Sequence, residues 1–193
     1  MFIGGFAGDD VNEYTMPPRW CTGNAVFLHS FSVSGQETSP QSLAFSTDGT
    51  KMFILGLTGT DDLEDVTEYT LGTAFDVSTA TYVDEKDVDE GTGYDKPRAI
   101  DFSSDGTKMR ILWSDKDVVG EYTCTTGFDV STCSYSGDGE RLQIQAQTTT
   151  PLGMVFNDDG TRLFIVSNEH PGNDKVIEYT CTAFDVGSCS HAS

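Results

Sequence analysis

Basic residues are scarce in this chain. Eleven Lys and Arg stand against 31 Asp and Glu, giving a formal net charge of −20. Such a surface repels phosphate backbones and anionic lipid, which argues against nucleic acid and membrane as partners. No apolar run approaches the ~20 residues of a spanning helix, which also argues against membrane insertion. Helix signals are nearly absent. The three histidines, His29, His170 and His191, are scattered and suggest no zinc cluster. There is no G-x-S-x-G elbow, no H-E-x-x-H and no glycine-rich phosphate loop. The N-x-S/T sequon is missing too, although "TTTP" at 148–151 leaves O-glycosylation open. "MFIGG" at the start has no basic flank and is not read as a signal peptide. It matches "MFILG" at 52–56, so the sequence reads as beginning inside a structural unit.

What the chain does have is Thr, Val, Phe, Tyr and Gly, an all-β composition, arranged in repeats. "FSTDGTKMFILG" (45–56) returns as "FSSDGTKMRILW" (102–113) and as "FNDDGTRLFIVS" (156–167). Asp-Gly between alternating apolar runs predicts a tight hairpin with a type I′ turn. Glu-Tyr-Thr recurs from Glu13, Glu68, Glu121 and Glu178, about 53 to 57 residues apart. An aromatic follows each time, at Trp20, Phe75, Phe128 and Phe184, and Pro40, Pro97 and Pro151 open the later units. Each complete unit reads as four strands, in the second copy a (42–46), b (51–56), c (65–71) and d (80–85).

Four short antiparallel strands at this period make a propeller blade. The pattern P-x-x-[apolar]-x-F-[SN]-x-D-G-T-[KR]-[ML]-x-I resembles the blade repeat of the YVTN/NHL and lactonase-like β-propellers, found in secreted, cell-surface and viral proteins. The resemblance implies an all-β array of four-stranded antiparallel blades within one domain, 1–193. Blade 1 (1–37) runs b-c-d and lacks its innermost strand; blades 2 (38–94), 3 (95–148) and 4 (149–193) are complete. Flanking blades or another chain are expected to cover the bare edge beside "MFIGG".

Comparison among the copies separates scaffold from site. Residue types present in every copy read as structural, so the four glutamates are expected to accept hydrogen bonds from neighbouring blades. Tyr14, Tyr69, Tyr122 and Tyr179 are expected to pack between blades. Cys124 and Cys133 fall where the other copies have Met16 and Ala25, Leu71 and Ala80, or Cys181 and Cys189. Positions that change together across a hairpin face one another, which predicts disulfides Cys124–Cys133 and Cys181–Cys189 and an oxidising, extracellular setting. Cys21 is left over, as a free thiol or a partner for another chain.

Counting outward from Asp105-Gly106 pairs Asp101 with Arg110, where the other copies pair Ala44 with Phe53 and Val155 with Phe164. The pair reads as a cross-strand ion pair or as a polar group carried to a channel or interface, with Trp113 beyond it. Asp61, Asp62, Glu64 and Asp65 cluster in one loop, with Asp9 and Asp10 in another. They are weak calcium candidates, because neither stretch has EF-hand spacing; no cofactor is otherwise expected. The reading these features give is a non-enzymatic extracellular scaffold, a structural or protein-interaction subunit of a surface or filamentous assembly. The alternatives are a lactonase-like metal-dependent hydrolase, implied by the resemblance, and a carbohydrate- or ligand-binding propeller.

Overall fold

In the computed structural model, which describes residues 1–5, 7–17, 21–58, 63–89, 96–169, 172 and 174–192, alternating strands build four antiparallel sheets. The first holds β1 (Phe2–Gly5), β2 (Asp10–Thr15) and β3 (Val26–Ser32), three strands as expected. The second holds β4 (Pro40–Phe45), β5 (Lys51–Thr58), β6 (Leu63–Leu71) and β7 (Ala80–Asp87). The third holds β8 (Pro97–Phe102), β9 (Lys108–Trp113), β10 (Val118–Cys124), β11 (Cys133–Tyr135) and β12 (Arg141–Gln143). The fourth holds β13 (Pro151–Phe156), β14 (Arg162–Ser167), β15 (Lys175–Thr182) and β16 (Asp185–His191). Each sheet is ordered as in sequence, and the innermost strands β4, β8 and β13 lie side by side. The chain is a four-blade β-propeller array.

The third blade departs from the expected four strands. Its outer strand is split into β11 and β12, both paired with β10. Gly137, at φ 97°, turns the chain out of the sheet between them. Such a conformation costs a residue with a side chain about 1–2 kcal/mol.

The repeated hairpins have the expected register, including Ala44 opposite Phe53, Asp101 opposite Arg110 and Val155 opposite Phe164. Their turn is not type I′, which needs positive φ at both central residues. Gly49, Gly106 and Gly160 have φ of 71°, while the aspartates before them do not. The aspartate carboxylate instead ties the loop: Asp105 accepts from Ser103 Oγ at 2.7 Å, Thr107 N at 3.0 Å and Thr107 Oγ1 at 2.8 Å. Asp48 repeats this with Ser46 and Thr50, and Asp159 does so with Thr161. These hydrogen bonds stabilise the ionised form and hold all three carboxyls low, Asp48 at about 2.

Glycine is needed there for a second reason. A Cβ on Gly106 would stand 2.4 Å from the Phe128 ring, and the matching contacts are Gly49 with Phe75 and Gly160 with Phe184. Each aromatic also donates its N–H to the glycine carbonyl, at 2.8 to 3.0 Å, and itself has φ near 60°. Thus the a–b and c–d turns of one blade are clamped together.

The core lies between blades, because strand residues alternate in direction. Met52 and Ile54 of β5 turn back to the first blade, and Phe53 and Leu55 turn forward to the third. On β9, Met109 and Ile111 turn back, whereas Leu112 turns forward. Each such fully buried Phe, Leu or Ile contributes ~1.5–3 kcal/mol.

Candidate active site

A hollow of about 360 Å³ opens where β4, β8 and β13 come together. Leu43, Phe45, Phe102, Ser104 and Val155 contribute to its lining, and Asp101 is its ionisable group. Period-2 alternation places Asp101 on the β8 face that turns to the fourth blade, beside the buried Ala99. Its side chain keeps 21% of its surface exposed. Burial raises its carboxyl to about 6, against the pull of the Arg110 guanidinium.

Arg110 is completely buried. Its Nη1 reaches Asp101 Oδ2 at 3.5 Å, its Nη2 donates to the Phe184 carbonyl at 2.7 Å, and its Nε lies 3.8 Å from Glu121 Oε2. The guanidinium also sits over the rings of Phe156, at 4.7 Å, and Phe184, at 5.1 Å. Elsewhere a phenylalanine fills this place: Phe53 meets Phe102 and Phe128, and Phe2 meets Phe45 and Phe75. A cation has replaced one ring of a recurring aromatic cluster, at the one interface where an acid faces the hollow. Trp113 lies apart from the pair, buried against Tyr122 and over Gly120.

Three of the four repeat glutamates act between blades, as expected, whereas Glu178 pairs with Arg162 of its own blade. Glu13 accepts from Val77 N at 3.2 Å, Glu68 from Val130 N at 3.0 Å, and Glu121 from Val186 N at 3.5 Å. Lys51 and Lys108 neutralise Glu68 and Glu121. Tyr69, Tyr122 and Tyr179 turn back toward the preceding linker, their hydroxyls reaching Gln36, the Val88 carbonyl and Gln147, whereas Tyr14 packs on Phe27 of its own blade. Both disulfides, Cys124–Cys133 and Cys181–Cys189, are formed, and Leu71 faces Ala80 at the equivalent place in the second blade. Cys21 is a free, half-buried thiol.

Of the calcium candidates, Asp61 and Asp62 lie outside the described residues, as does His170. Glu64 and Asp65 are buried on β6, where burial and the charges of Glu85 and Asp87 raise Asp65 to about 6. Asp10 accepts from Asn12 and Ser30. Among the described residues no group of three His, Cys, Asp or Glu is arranged to hold a metal ion. The side chains of the hollow therefore do not fit the metal centre that the lactonase resemblance implies.

No family model and no curated protein matches the chain. Its fold does match solved structures. One is a candidate 6-phosphogluconolactonase from Bacteroides fragilis, with TM-score 0.62 and 13% identity over 100% of this chain and 50% of that one. Another is a periplasmic gluconolactonase from Pseudomonas aeruginosa, with TM-score 0.59 and 16% identity over 100% of this chain and 49% of that one. A nidogen/laminin complex matches at TM-score 0.57 and 11% identity over 98% of this chain and 59% of that one. The chain spans about half the length of the lactonase structures it matches. The resemblance to lactonase-like propellers is borne out at the level of fold. The expectation of a chain without catalysis is corrected by the same likeness, since the propellers it is similar to include lactonases. Repeats of bland composition gave no ground for excluding an enzyme, because a catalytic group need be built only once. No helix of the described residues is long and apolar enough to cross a membrane, and the two disulfides fit an oxidising compartment outside the cytosol.

Proposed function

We propose that this chain carries the hydrolytic site of a lactonase-like propeller acting on a sugar lactone in an extracellular or periplasmic space. The observation that carries the reading is Asp101, an acid raised to about 6 at the edge of the inner hollow. A carboxyl in that range is largely ionised at neutral pH yet basic enough to take a proton from water. In the reaction, water adds through its oxygen to the lactone carbonyl carbon while its proton passes to Asp101. The ring C–O bond then breaks, and the departing alkoxide recovers that proton. Arg110 is a positioning residue: locked between Phe156, Phe184 and the Phe184 carbonyl, it fixes the carboxylate without entering the hollow. The aromatic and aliphatic lining offers apolar surface to a sugar ring, and Ser104 offers a hydroxyl. The likeness to two lactonase folds supports this assignment.

The test is the opening of glucono-δ-lactone by the 193-residue chain. Saturable turnover that rises with pH through about 6 is expected, with Asp101→Asn slowing it about 10²–10⁴-fold. Turnover no faster than buffer, or equal in the Asp101→Asn variant, would overturn the assignment.

A further inference from the structure

The inner strands β4, β8 and β13 each carry a bulge at the second residue. The register slips between Pro40 and Ser42, between Pro97 and Ala99, and between Pro151 and Gly153. A bulge takes one side chain out of the alternation and re-aims it. The residues so released are Gln41, Arg98 and Leu152. The backbone device is shared, yet only the third blade places a cation on it.

Arg98 is half-buried and held by neutral acceptors. Its Nε donates to Ser114 Oγ at 3.1 Å, and its Nη1 donates to Gln41 Oε1 of the second blade at 2.9 Å. Both acceptors are themselves oriented: Ser114 Oγ donates to the Lys96 carbonyl at 3.3 Å and Gln41 Nε2 to the Ser39 carbonyl at 3.1 Å. The guanidinium is therefore fixed in place but not neutralised. Lys51, Lys108, Arg110 and Arg162 each pair with a glutamate. Arg98 and the exposed Lys96 make no ion pair among the described residues. In a chain with 31 acids and 11 bases, that leaves two positive charges for a ligand to meet.

The two cations meet in a hollow of about 300 Å³ between the third and fourth blades, at the end of β8 away from Asp101. Thr149, Thr150 and Asn168 bring hydroxyls and an amide to its wall, and Thr150 Oγ1 ties the two segments by donating to the Asn168 carbonyl at 2.6 Å. Asp115 also lines it, paired with Lys116 at 3.2 Å. We infer that this hollow binds the carboxylate of a small hydroxy acid, with Arg98 and Lys96 holding the charge and the threonines and Asn168 meeting its hydroxyls. A guanidinium presents a planar fork of donors matched to a carboxylate. Asp115 in the wall and the net charge of −20 disfavour a doubly charged phosphate. The inference rests on these residues and not on the lactonase assignment.

The test is titration of the isotope-labelled 193-residue chain with sodium gluconate, followed by amide NMR shifts. Saturable shifts are expected at Ser114, Thr149, Thr150 and Asn168, away from the Asp101 hollow, with binding that weakens as salt rises. Arg98→Gln should weaken binding about tenfold or more. Should that variant fail to fold, as judged by circular dichroism, Lys96→Gln serves for the same comparison. At matched ionic strength, neutral glucose and inorganic phosphate should each bind more weakly than gluconate by about tenfold or more. The absence of saturable shifts with gluconate overturns the inference. So do shifts confined to the lining of the Asp101 hollow, glucose or phosphate binding as tightly as gluconate, or undiminished binding by the substituted chain.

Discussion

Gly106 and Phe128 show how a single residue can be fixed by two constraints at once. The glycine adopts φ 71°, and a Cβ there would meet the Phe128 ring at 2.4 Å. Gly106→Ala therefore pays the left-handed penalty of about 1–2 kcal/mol and also displaces the ring. We expect a loss of about 2 kcal/mol or more in urea unfolding, against less than about 0.5 kcal/mol for Ser104→Ala at the exposed neighbouring position. The Asp-Gly pair itself was legible in the sequence as a hairpin signal. Its turn class was not, because the decisive contact comes from an aromatic more than 20 residues away, and that ring's own positive φ breaks the usual preference of side chains.

Between elements, the strand-c glutamate of each of the first three blades joins that blade to the next. Glu68 is buried, accepts the Val130 N–H and neutralises Lys51, which itself donates to the Phe128 carbonyl at 2.6 Å. Removing it strands a buried donor and a half-buried ammonium. Glu68→Ala should cost about 3–5 kcal/mol in chemical unfolding, and Glu178→Ala, whose ion pair with Arg162 is exposed to water, at most about 1 kcal/mol. Equal losses at the two sites would contradict a role between blades. This level was the most legible in the sequence, since four copies of Glu-Tyr-Thr act as controls on one another. The same comparison identified both disulfides from positions that change together. The hollow was less legible. Asp101 and Arg110 stood out as a charged pair, but their setting depends on β4, β13 and the Phe184 turn, which are brought together only by packing of separate blades.

Across the whole molecule, two sets of carboxyls respond to pH in opposite directions. The turn aspartates Asp48, Asp105 and Asp159 are held below 3.8 when folded, so their contribution is present above that value and lost as pH falls below it, for Asp48 toward about 2. Asp65 and Asp101 are raised to about 6, so theirs is present below 3.8 and lost as pH rises through about 6. Self-repulsion of a chain at −20 adds to the loss at higher pH. Urea midpoints measured from pH 2 to 8 should therefore peak near pH 4, about where the rise from the first set ends, and fall from there toward about 6. A midpoint still rising at pH 8 would contradict this assignment.

The direction of the latches between blades has a bearing on how the chain is made. In all three, the glutamate lies earlier in the sequence than the N–H it receives: Glu13 before Val77, Glu68 before Val130, Glu121 before Val186. A ribosome delivers these in the same order, and early segments fold as they emerge. Each new blade thus meets a carboxylate already displayed by its predecessor. Assembly is templated forward along the chain, and the blade most recently synthesised is always the one with its acceptor still waiting.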